Sequence, residues 1–368
     1  MKPLIQPKPT PIFLITLALL YCWILPVAQA VVPPPDGGYS NFTTAEGTKA
    51  LQNLTTGAGN TGVGWYSLFS VTATGFNTGV GAGTLALNIA AENTAIGAGA
   101  LLSNTTGYAN TANGASALIH NSTGFENAAF GTNALFDNTD GHDNLAVGDS
   151  ALVRNTSGVD NTACGASALN NNTTGNFNIA LGRSAGENVT TADSVTCIGT
   201  NVAGANVSQT TWIGNVYGVT TQSGTTAPVI VSDTGQLGTA ASSERFKKDI
   251  TAMDKASEVI MGLRPVTFHY KSDAKGTPQF GLIAEEVAKV NPALVLPDKE
   301  GKPFTVRYDQ VNAMLLNEFL KEHRKNEEQQ KQINGLSAQL NEQAAQIQKV
   351  SAQLETRKPG PQVVGNNQ

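Results

Sequence analysis

Between residues 43 and 200 the apolar and polar positions repeat with a period of seventeen residues. Asn93, Asn110, Asn127, Asn144, Asn161 and Asn178 mark the beat, with Asn77, Asn60 and Thr43 before them at intervals of sixteen, seventeen and seventeen. Residues 93–109, NTAIGAGALLSNTTGYA, show the unit: Asn-Thr-Ala-apolar-Gly, then Ala-Leu, then Asn-x-Thr-Gly. Val63, Val80, Ile96, Phe130, Val147, Cys164 and Leu181 fill the apolar place, and Asn113 interrupts it. A glycine follows that place in every unit, from Gly47 to Gly182. One such unit buries too little to offset the entropy of ordering it, but stacked units bury a continuous core. The pattern therefore predicts nine stacked coils, a rod about 40 Å long if neighbouring NTAIG strands pair. The Asn-x-Thr-Gly segment suits a tight corner, since Gly and Asn accept positive φ. Periodicity leaves open whether Ala-Leu lies in a helical turn.

Beyond residue 200 the pattern changes. Residues 201–241 read as a β-rich junction, with strands at Thr211–Val219 and Pro228–Ser232 and a turn at Asp233-Thr234-Gly235. From Asp309 to Arg357 there is no Pro and one Gly. Ile333, Leu336, Leu340, Gln343, Ile347, Val350 and Leu354 follow a 3-4 spacing, the seam of a coiled coil over residues 326–358. Lys358-Pro359-Gly360-Pro361 ends the helix, and 359–368 reads as a disordered tail. At the other end, Lys2 and Lys8 precede an apolar run, Ile12–Leu25, closed by Pro26 and Ala28-Gln29-Ala30. That is the order of a secretory signal peptide over 1–30, and the run is short of a membrane span. Residues 31–42 form a Pro/Gly-rich lead-in. The mature chain is expected to be secreted or held at a cell surface, with no membrane span of its own.

Composition narrows the function. Only 14% of residues are charged, against about 25% in an average domain. Residues 31–241 hold three Lys/Arg and twelve Asp/Glu, while 242–368 hold eighteen and sixteen. Neither half has the dense basic face of a nucleic-acid binder. Cys164 and Cys197 are the only cysteines after residue 30, too few for a disulfide scaffold or a zinc module; both read as small buried hydrophobes. The sequons at Asn104, Asn121 and Asn155 fall at one corner of each coil, where turn chemistry alone favours them. Asp137, Asp140 and Asp143 lack the spacing of an EF-hand and read as a solvated corner. Trp65, Tyr66 and Phe69 suit a cap on the stack, or alternatively a glycan-stacking site. No cofactor and no metal is expected.

The repeats resemble the head repeats of trimeric autotransporter adhesins and the shaft repeats of phage-like tail fibres. The segment beginning Ser242-Ser243-Glu244-Arg245-Phe246-Lys247-Lys248-Asp249-Ile250 resembles the C-terminal intramolecular chaperone domains of phage endosialidases, tail spikes and myelin regulatory factors. The pattern there is Ser-Asp-x-Arg-x-Lys-x-x-Ile, and Ser243 stands in the place of the Asp. Leu263–Tyr270, Gln279–Val287 and Val306-Arg307-Tyr308 match further motifs in order, so the resemblance covers about 242–325. It implies a homotrimer, and self-cleavage between Ala241 and Ser242 with Ser242 as nucleophile and Lys247 as general base. The chemistry is coherent: a serine hydroxyl needs a base, and a lysine serves as one only where burial or a neighbouring cation such as Lys248 favours its neutral form. The expected fold is a mainly β repeat solenoid, the shaft of a trimeric fibre, then a small α+β chaperone domain and a C-terminal coiled coil. A non-cleaving fibre and an adhesin that binds surface glycans through its repeats are the alternatives.

Overall fold

The computed structural model describes residues 40–357 and residue 360. The signal peptide, residues 31–39 of the lead-in and nearly all of the tail lie outside the described residues. The chain divides between Thr226 and Ala227 into two compact units.

In the first unit, eleven three-residue strands, β1 (Thr44–Glu46) through β11 (Thr211–Ile213), form one parallel sheet in chain order. Each strand stands at the repeat's Thr-Ala-apolar place, paired with the corresponding triplet one coil on: Thr94 faces Thr111, Ala95 faces Ala112 and Ile96 faces Asn113. The sheet runs past residue 200, through β10 (Thr196–Ile198) to β11, giving eleven rungs where nine coils were expected. Ala-Leu forms a turn and not a helix. Leu101, Leu118 and Leu135 adopt φ of 50°, 53° and 54°, the left-handed region that bulky residues avoid. Backbone bonds between coils hold them there, as in Leu118 N–H to Ala134 O at 3.0 Å.

The strand's middle residue fills the core. Ala95, Ala112, Ala129, Ala146, Ala163 and Ala180 are fully buried, together with the Leu ladder from Leu68 to Leu169. The coil interior leaves room for little more than a methyl group: a Cβ at Gly62 would lie 3.1 Å from Leu51 Cγ. The larger apolar residue of each triplet therefore points outward. Cys164 occupies that outer place and is exposed, which corrects its reading as buried. Cys197 takes the inner Ala place, and burial pushes its thiol pKa up.

The Asn residues also correct a sequence expectation. They form the polar half of the core, in two ladders. In one, Asn110 Nδ2 donates to Asn93 Oδ1 at 3.2 Å and to Gly124 O at 2.9 Å. In the other, Asn121 Nδ2 donates to Asn104 Oδ1 at 2.7 Å and to the same Gly124 O at 2.9 Å. Asn104, Asn121 and Asn155 are wholly buried, so these sequons present no side chain to a glycan. The corner Gly is needed for space, not for φ: a Cβ on Gly158 would meet Gly175 O at 2.5 Å. Asn138→Ala removes bonds to Asn121 Oδ1 and Gly141 O and leaves the Asn155 amide with one of its two acceptors, Gly158 O. A loss of roughly 3 kcal/mol is expected, read as a drop in denaturation midpoint against Thr174→Ala, an exposed change.

One coil, 77–92, is a residue short. Its Asn88 Nδ2 reaches Ala90 O at 2.8 Å, where Asn104 in the next coil reaches Gly107 O at 2.7 Å. The missing residue thus falls in the corner, and Thr78 still pairs with Thr94.

The second unit holds three antiparallel strand pairs: β12 (Ile230–Val231) with β13 (Leu237–Gly238), β14 (Val266–Phe268) with β15 (Gln279–Gly281), and β16 (Val295–Pro297) with β17 (Pro303–Val306). A helix, Ala284–Val290, follows β15, and a single 49-residue helix, Tyr308–Thr356, follows β17. Val287, Leu294, Val306 and Val311 form its main buried cluster. Tyr308 Oη accepts the Leu282 N–H at 2.9 Å and pins the start of the long helix beneath β15. The heptad seam residues are 54–66% exposed, and Phe280 and Phe304 are 81% and 73% exposed. So small a core is poor compensation for ordering the unit.

Candidate functional site at the junction

The 3-10 turn Glu244–Phe246 bends the chain just after Ser242. It is closed by Phe246 N–H to Ser243 O at 3.0 Å and Lys247 N–H to Glu244 O at 2.9 Å. That single turn spans the five-residue gap and brings the ammonium of Lys247 to Ser242 Oγ, which accepts its hydrogen bond at 3.2 Å. Both residues are exposed, as are Ala240 and Ala241 before them. Arg245 lies with its guanidinium 4.6 Å from the Phe246 ring centre and takes no part in the pair. Ser243 caps the turn without a side-chain hydrogen bond. His269 is exposed just past β14.

Two side-chain clusters stabilise the scaffold downstream. Arg264 forks onto Glu286, with Nη2 to Oε1 at 2.5 Å and Nε to Oε2 at 3.1 Å. This pair ties the Leu263–Tyr270 motif to the Gln279–Val287 motif. The Arg264 hydrogen bond holds the Glu286 carboxyl below its ordinary pKa. The second cluster was not legible in the sequence. Ser257, fully buried, donates to Glu318, and its Oγ accepts from Asn317 Nδ2 at 2.7 Å. Lys321 Nζ donates to Glu318 Oε1 at 2.7 Å. The hydrogen bonds from Lys321 and then from Ser257 keep the Glu318 carboxyl below its usual range. The cluster clamps the 3-10 segment Asp254–Gly262 to the long helix across some sixty residues of sequence, a separation that no local pattern reports.

One comparison falls on the segment that carries the Ser242–Lys247 pair, the Arg264–Glu286 fork, β14 and β15. Residues 242–296 match the chaperone of endosialidase family. This is the family that the sequence motifs resemble, and the shaft before it is the β-solenoid that the repeat implied. The chaperone of endosialidase family is associated with autoproteolysis. The match stops short of the long helix and does not touch the solenoid. No curated protein and no solved structure matches the chain.

The solenoid's aromatic residues divide between rings packed on neighbours and exposed rings, Trp65, Phe76 and Phe177 among the latter. Tyr108, Phe125 and His142 stack on one another along the coils, with ring centres 5.1 and 4.4 Å apart and planes within 8°, so both faces of Phe125 are covered. Tyr66 and Phe69 pack with Lys49 of the preceding coil, whose Nζ sits 4.7 Å from the Tyr66 ring centre. They line a wall of the second coil and do not cap the stack. Asp137 and Asp143 each meet a histidine, His120 at 3.2 Å and His142 at 2.8 Å. Among the described residues no three His, Cys, Asp or Glu gather as a metal site, and no helix is long and apolar enough to cross a membrane.

Proposed function

We propose that the chain is an exported, homotrimeric fibre whose C-terminal unit assembles three solenoid shafts and then cuts itself free between Ala241 and Ser242. The observation that carries this reading is the Lys247–Ser242 hydrogen bond inside the segment that matches the chaperone family. Lys247, as a neutral amine, takes the Ser242 hydroxyl proton. Oγ attacks the Ala241 carbonyl carbon, the C–N bond breaks, and the proton passes to the freed amine of Ser242. Water then hydrolyses the Ala241 ester, leaving a carboxylate and the regenerated hydroxyl. In the single chain both groups stand in solvent. Assembly of three chains is the event that removes water and favours the neutral amine, which ties scission to correct folding.

Intact-mass analysis of the purified trimer tests the proposal. The wild-type chain is expected to split after Ala241, and Ser242→Ala and Lys247→Ala are each expected to stay whole. An uncut wild-type trimer overturns the catalytic assignment, and a cut that survives Ser242→Ala assigns it to another protease. One observation favours a second reading, a fibre whose junction is never cut. Ser243 stands where the family pattern has an acid, and its side chain does not cap the turn. The same measurement separates the two.

A further inference from the structure

The outward face of the eleven-stranded sheet has a composition unlike the rest of the solenoid. Val80, Ile96, Phe130, Leu181 and Ile198, all at the third strand position, are 37–41% exposed. Leu145 and Ile179 extend the apolar surface into the first-position row, which is otherwise mostly Thr. Glu46, in β1, is the one charged residue at an outward strand position. From residue 47 to 213 every other charged residue, including Glu92, Glu126, Asp143, Asp160 and Arg183, lies off the strands. The ten strands from β2 to β11 at about 4.8 Å, each about 10 Å long, make an uncharged strip about 43 Å in length. Exposed apolar side chains repeated along such a strip, with Asn113 the one polar residue of the third row from β2 to β11, mark an interaction surface.

The occupant is constrained by the period. A partner must offer apolar rows that repeat at the same strand spacing over the same length, without charge. The same sheet of another copy meets that requirement, rung against rung. We infer that this face is the contact between the shafts of the assembled copies, their strands in register along the trimer axis. The inference rests on the homotrimer proposed above. It places the first- and third-position rows at the interface and leaves the acidic walls in solvent. Thr hydroxyls supply short-range hydrogen-bond donors and acceptors between the apolar side chains without the desolvation penalty of a charge.

Cys164 provides the test, because it occupies the third position of β8 (Thr162–Cys164) and is exposed, whereas Cys197 is buried. Packed sheets lie about 10 Å apart, so a bis-maleimide of about that reach spans neighbouring copies. Full-length purified protein is treated natively and run on a denaturing gel. Linked chains are expected, and Cys164→Ser should remove them. Asp160→Cys in the Cys164→Ser background moves the thiol to an acidic wall and should lower linking at least tenfold. A trimer by sedimentation whose Cys164 does not link, or links no better than the residue-160 thiol, overturns the interface alone. A monomer by sedimentation overturns the trimer and the interface together.

Discussion

A chain ending at Ala241 is expected to aggregate or stay monomeric, while the same fragment released by scission stays trimeric. The core of a regular solenoid coil is two buried Ala, one Leu and two Asn, each held by the coils above and below. Such a stack closes only through contacts a full coil apart, and parallel pairing of that kind forms slowly with its faces exposed. The long helix changes the kinetics. Its seam residues Ile333, Leu336, Leu340, Ile347, Val350 and Leu354 stand in solvent in a single chain. Burying each is worth about 1.5–3 kcal/mol, enough across three helices to hold three shafts at high effective concentration. Once stacked, a shaft lasts because its unfolding is slow. Leu340→Asp with Ile347→Asp should mimic the truncation by placing charges on the seam. Sedimentation of the 31–241 fragment expressed alone checks the argument. A stable, soluble trimer with β-type circular dichroism would show the C-terminal unit to be unnecessary for assembly.

Gly148→Ala is expected to cost more than 4 kcal/mol and to divide the shaft into two weaker stacks. Gly148 has a φ of 132°, outside the range of residues with a Cβ. An added Cβ would meet backbone atoms of the next coil, Gly165 C at 2.6 Å and Ala166 N at 2.8 Å. Neither strain can relax without parting β7 (Leu145–Val147) from β8. Denaturant unfolding with protease mapping reads both consequences. A midpoint within about 0.5 kcal/mol of wild type, the range of neutral surface changes, would mean that the coils are not stacked at this row.

The period, the invariant glycine and the heptad seam were legible because each recurs often enough to rise above local composition. The direction in which the strands face was not. A three-residue strand offers only one alternation, and in Thr-Ala-Ile the larger side chain looks like the core residue. Ala wins because the opposing Leu leaves no room, a fact of the coil's width and not of its residues. Asn misled for a related reason: its side chain is satisfied by the Asn seventeen residues away, while locally it resembles a turn former. Ser242 and Lys247 were singled out by the family resemblance alone, since a Ser and a Lys five apart carry little signal; the structure adds their hydrogen bond. Ser257 and Glu318 were not singled out, since only the folded unit brings them together.

The short coil from Asn77 to Glu92 has a consequence for how such a chain changes over generations. Loss of one codon at its corner leaves β3 (Thr78–Val80) and β4 (Thr94–Ile96) in phase. The same loss within a strand would turn the Ala methyl outward and drive Ile or Phe into a space fit for a methyl. Replication slippage in this repetitive gene is therefore filtered by position: corners can drift in length, whole coils can be gained or lost together, and the triplets from β1 to β10 keep three residues with Ala, Gly or Cys in the middle.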